Sequence, residues 1–162
     1  RRNDMAIATE VDVVSPVGTI AEVKAGFPAT FDAAGFAAHF DGLSETELGL
    51  MEDFTIPTSS TTVETFNDMK SGQIIKVLTF TDAGDATLVT AHVIDDDGQA
   101  ILIDHHNGAN KTTPVSIKLT HSDGSTTYYA GKVSGYEPVK VPLNRCTYTI
   151  AVDKKMVEVA AP

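Results

Sequence analysis

A chain of 162 residues, 42% hydrophobic and 21% charged, is long enough to bury about 70% of the surface its unfolded form exposes, so a single domain, 1–162, with its own core is expected. The formal net charge of −10 argues against tight nucleic-acid binding, which needs clustered cations. The lone cysteine, Cys146, excludes an intramolecular disulfide and points to folding inside the cell.

No run approaches the roughly 18 apolar residues of a membrane helix, and Arg1-Arg2-Asn3-Asp4 leads into no apolar stretch of an export signal. The charge is unevenly placed: from Ala25 to Met69 there is no Lys or Arg, and basic residues gather after Asn110.

Residues 1–18, with Val11, Val13 and Val14 before Pro16-Val17-Gly18, read as an arm or edge strand. Thr19–Ala25 alternates and reads as a short strand, and Pro28–Phe40 as a helical turn capped by Thr30 or Asp32 and pinned by Phe31, Phe36 and Phe40. Glu47–Phe54 is the next strand, with Leu48, Leu50 and Phe54 on one face. The stretch 55–74 is the least regular. Its Ser/Thr run suits a strand through Val63 and Phe66, but the residues after it read as a long loop, with apolar side chains that a purely solvated loop would not carry.

Ile75–Thr81 and Ala86–Val93 read as strands joined by the four-residue turn Asp82-Ala83-Gly84-Asp85. Gln99–His106 is the best helix, opened by Asp95-Asp96-Asp97 and closed by Asn107-Gly108. The clearest element comes next. Val115, Ile117 and Leu119 alternate with polar residues up to Asp123-Gly124, and Thr126–Tyr129 returns. A two-residue turn sets Leu119 opposite Tyr128, Ile117 opposite Ala130 and Lys118 opposite Tyr129. Arg145–Val152 alternates cleanly, Met156–Ala160 adds a tail strand, and 153–162 forms a C-terminal arm. Strands at hairpin spacing with one helix predict a mainly β fold, an antiparallel sandwich or barrel with one flanking α-helix.

The candidate chemistries are weak. Ile101–Ile103 followed by Asp104-His105-His106 resembles one motif of the DHH metal phosphoesterases, but the earlier His/Asp-rich motif and the larger α/β domain of that family are missing; the polar last turn of a helix is the simpler reading. Asp95–Gly98 fails as a calcium loop, because Val93 stands where the first carboxylate belongs. Cys146 fits a small core residue of an alternating strand, and His39, His92 and His121 define no triad. No catalytic residue, metal or cofactor is expected, and the chain reads as a non-enzyme.

Three passages in this order, PATFDAAGFAAHF at Pro28–Phe40, DDDGQAILI at Asp95–Ile103 and the Asp-Gly hairpin at Ser116–Pro138, resemble the major tail tube proteins of long, non-contractile-tailed bacteriophages. That resemblance implies a β-sandwich or barrel core with a flanking helix, assembled in the host cytoplasm into the virion tail. Six copies form a ring, and rings stack into a tube through which genomic DNA passes without tight binding. Its partners are further copies of itself, tail tip and terminator proteins, and no membrane. Phe54, Ile56, Val63, Phe66, Met69 and Ile74, in or beside the long loop 55–74, are then candidates for contacts between rings. Which acids line the lumen is open. A monomeric β-sandwich adhesion module is the alternative.

Overall fold

The structure, a computed structural model, describes residues 17–42 and 46–162. The N-terminal arm expected at 1–18 lies outside these except for Val17 and Gly18. The fold is mainly β with antiparallel sheets. In chain order the elements are β1 (Ile20–Ala25), α1 (Ala33–His39), β2 (Thr46–Glu47), β3 (Met51–Thr55), β4 (Ser60–Asp68), β5 (Gln73–Asp82), β6 (Asp85–Ala91), α2 (Asp97–Asn107), β7 (Val115–Thr120), β8 (Thr126–Val139), β9 (Arg145–Val152) and β10 (Val157–Val159). The main sheet runs β2-β1-β7-β8-β9-β6-β3, with β10 also on β8, while β4 and β5 form a separate two-stranded sheet.

The sheet is covered on both faces. Ala21 and Val23 of β1, Leu88 of β6, Ile117 and Leu119 of β7, Tyr129 and Val133 of β8, and Tyr148 and Ile150 of β9 share one core with Leu102 of α2. On the opposite face Tyr128 and Ala130 meet Phe36 and Phe40 around α1, and the Phe36 and Tyr128 rings stack with centroids 5.3 Å apart. Alternation along β8 thus sends successive side chains into two cores, which explains why both members of the Tyr128-Tyr129 pair are buried. Instead of one flanking helix there are two among the described residues. The Pro28–Phe40 passage closes into the full helix α1, with Asp32 accepting from Gly35 N at 2.6 Å as its N-cap. That bond, helped by Thr30, holds the Asp32 carboxyl below its ordinary range.

The β7–β8 hairpin differs from the expected register by one residue. Ile117 lies opposite Tyr129, Lys118 opposite Tyr128 and Leu119 opposite Thr127. Its last pair is Thr120 and Thr126, so the turn spans the five residues 121–125 and not Asp123-Gly124 alone. The reason is local hydrogen bonding: Asp123 Oδ1 accepts from both the backbone and the hydroxyl of Ser125, and His121 N donates to Ser125 O at 2.9 Å. Because side chains alternate, the slip reassigns every facing pair. The expected strand Glu47–Phe54 is also divided: β2 and β3 are separated by Leu48-Gly49-Leu50, where Leu50 takes φ 50°.

Candidate functional site

The stretch expected to be a loop is the β4–β5 hairpin. Residues 55–74 divide into the end of β3, a short connection, β4, a tight turn and the start of β5. The strand at Ile75–Thr81 pairs back onto β4 (Phe66 opposite Ile75, Val63 opposite Leu78) and makes no hairpin with β6, which pairs with β3 and β9 instead. Asp82-Ala83-Gly84 therefore links two sheets. At the tip, Asp68 accepts from Lys70 N at 3.0 Å and from the Ser71 hydroxyl, which holds its carboxyl below the ordinary range. Gly72, with φ 71°, completes the turn by donating to Asp68 O at 2.8 Å.

The base of the hairpin is fixed to the main sheet. Ala83 is buried in the core, Gly84 O accepts from Val152 N at 3.0 Å, and Pro57 is buried beside it. Gly84 has φ 84°, and a Cβ there would stand 2.3 Å from Thr58 O, so only glycine lets the two chain segments cross this closely. Beyond the base no described residue covers the hairpin: every residue from Thr58 to Asp82 except Asp68 is exposed.

Its side chains are nevertheless apolar on both faces. Alternation places Phe66, Ile75 and Val77 on one face with Glu64 and Asp68, and Val63, Ile74 and Leu78 on the other with Lys76. Phe66 is 62% exposed, Phe80 80% and Met69, at the tip, 97%. Among the described residues neither β4 nor β5 has a strand on its outer edge, and the outer edge of β3 is likewise unpaired. A two-stranded ribbon with greasy faces and open edges is marginal alone in water and is a template for pairing with another chain.

Of the residues singled out in the sequence, Val63, Phe66, Met69 and Ile74 lie on this hairpin. Ile56 lies at its base, in a cleft with Pro57 and Met156. Phe54 does not belong to it: it sits in β3, packed against the main core with its ring 6.0 Å from that of His121. Sequence reasoning missed Val77, Leu78 and Phe80 as hairpin residues. The available signal was Asp68–Gly72, a turn between two strand-like runs.

The residues weighed for chemistry make local structural contacts. Asp96 caps α2 through Gln99 N at 2.9 Å and also accepts from Gly49 N at 2.8 Å. Asp104 accepts from Ala109 N at 3.2 Å and from the Asn110 amide, and His105 is buried with Nδ1 donating to Ile101 O at 2.8 Å. Cys146 is buried, its sulfur 3.2 Å from His92 Nδ1. Burial pushes the Tyr129 phenol up. Among the described residues no three His, Cys, Asp or Glu side chains converge on a metal position, and no helix is long and apolar enough to cross a membrane.

These features define a β fold with a projecting hairpin. Chains of known structure share the overall β fold. A chain of the anti-feeding prophage baseplate aligns over 88% of this chain and 92% of its own length, with TM-score 0.56 at 8% identity. The sheath/tube terminator of an extracellular contractile injection system (PVC) aligns over 93% and 100%, with TM-score 0.58 at 13% identity. The tube-terminating cap of the anti-feeding prophage aligns over 97% and 100%, with TM-score 0.56 at 12% identity. At these identities the likeness is one of fold. No family model and no curated protein sequence matches the chain.

Proposed function

We propose that this chain is a non-enzymatic structural subunit of a phage-type tail, which assembles with copies of itself into hexameric rings that stack into a tube. The observation that carries the reading is the β4–β5 hairpin, apolar on both faces, open on both edges among the described residues and firmly anchored at its base. Such an element is completed by another molecule. A head-to-tail contact made by one surface on a different surface of the next copy closes into rings or continues as a filament. The open edge of β3 supplies the second contact, by which sheets of neighbouring copies in a ring merge. The fold shared with tube-terminator, cap and baseplate chains supports a place in such a machine.

The charge suits a conduit. Six copies at −10 each carry about −60 per ring, and an acid-rich wall repels phosphates so that DNA passes without adhering. Screening confines that repulsion to about 8 Å at physiological salt. A second reading is a single capping ring at a tube end, favoured by the terminator and cap chains among the structures of like fold. Negative-stain microscopy of the purified, concentrated protein separates the readings. Hollow filaments are expected for the tube subunit, isolated rings for the cap, and dispersed particles would contradict both.

A further inference from the structure

Among the described residues the molecule carries a second open apolar surface, at the other end of β6 from the hairpin. β6 begins at Asp85, beside the hairpin base, and ends at Ala91, about 20 Å away along the strand. Just past that end a cleft of about 400 Å³ lies between α2 and the β6–α2 connection, lined by Val93, Ile94, Ala100, Ile103 and Asp104. Gln99 builds its floor: this buried amide donates to Ala91 O at 2.8 Å and accepts from Val93 N at 3.2 Å, holding the connection against the helix. Ile94 stands 87% exposed at the rim. One acid, Asp104, lines the cleft, and Asp95 and Asp97, one and three residues after Ile94 in the chain, are exposed.

The hairpin is the matching piece. Lys70 and Lys76 are the only Lys or Arg residues between Ala25 and Asn110, and both are on it, one at the tip and one on the face that carries Ile74 and Leu78. Met69 beside Lys70 is, among the described residues, the most exposed of the large apolar side chains. The hairpin reaches about 30 Å from its base, far enough to enter a neighbouring molecule. We infer that the hairpin tip of one copy, Met69 and Lys70, docks in the cleft beside α2 of a second copy, with Met69 against Ile94 and Ile103 and Lys70 toward Asp95 and Asp97. Because base and cleft lie at opposite ends of β6, the contact is head-to-tail and repeats along the strand direction. This deepens the tube reading and rests on it.

Cysteine trapping in the full chain tests it. Met69→Cys and Ile94→Cys are made on separate molecules, mixed at polymer-forming concentration and oxidised; Cys146 is buried and stays out of the reaction. A covalent dimer formed by the mixture, and by neither variant alone, is expected. Lys70→Glu should raise the concentration needed for polymer about fivefold, and Asp95→Lys in the same chain should restore it. Polymers visible by microscopy without the mixed dimer, or unchanged by Lys70→Glu, would overturn this docking and leave the tube reading standing. Isolated rings or particles alone would overturn both. Circular dichroism confirms that each variant is folded.

Discussion

Replacing Phe66 by alanine separates assembly from folding. Burying a phenylalanine side chain is worth about 1.5–3 kcal/mol. With 62% of Phe66 still exposed in the isolated chain, about 1–2 kcal/mol of that is available only when another molecule covers the hairpin. The remainder, under about 1 kcal/mol, is the most Phe66→Ala can cost the monomer through its contact with Ile75 across the strands. At 1.4 kcal/mol per tenfold, the threshold concentration for assembly should rise about five- to thirtyfold, while the unassembled chain loses under about 1 kcal/mol of stability in urea. Sedimentation of polymer over a dilution series reads the first quantity and fluorescence-detected unfolding the second. A variant that unfolds much more easily yet assembles at the parent threshold would refute the reasoning.

Other predictions concern the scaffold that holds the hairpin. Gly131→Ala puts a Cβ 2.0 Å from Ala151 O between β8 and β9 and should cost about 3 kcal/mol, read as a lowered urea midpoint. Asp96→Ala removes the α2 cap and the bond to Gly49 N and should cost about 1–2 kcal/mol. Burial, then the Lys24 charge, holds the His39 imidazole below its ordinary 6.5, so as pH falls the unfolded chain takes up this proton first. The associated stability is complete above pH 6.5 and is lost as pH drops through that value toward the lower folded one. His39→Gln should remove this part of the pH dependence, and a midpoint difference between parent and variant that is constant from pH 8 to 5 would contradict it.

Much of the main sheet is legible in the sequence because one-sided burial imposes a period of two. β9 alternates Cys146, Tyr148, Ile150 and Val152 inward without interruption, and its bounds and faces are as expected. α2 is legible because Asp96 and Asn107-Gly108 punctuate it. The β7–β8 register is not, since hydrogen bonds of Asp123 and His121 extend the turn, and both faces of β8 are buried, so apolar content cannot decide which tyrosine points where. The candidate site is half legible. Its apolar residues stand out at Phe66, Met69 and Ile74, but adjacent pairs such as Ile74-Ile75 and Val77-Leu78 show no one-sided pattern, because among the described residues neither face of the hairpin meets a core. The cleft beside α2 is invisible in sequence, since it depends on Gln99 reaching back to Ala91.

The most direct test of the account is to excise the hairpin. Thr58 and Gly84 cross at its base, so deleting 60–82 and joining Ser59 to Ala83 leaves the main sheet, both cores and both helices intact. The account predicts a folded chain with the parent's unfolding midpoint that sediments as nothing larger than a single ring at concentrations where the parent forms polymer. Polymers forming from the deleted chain at the parent threshold would contradict it.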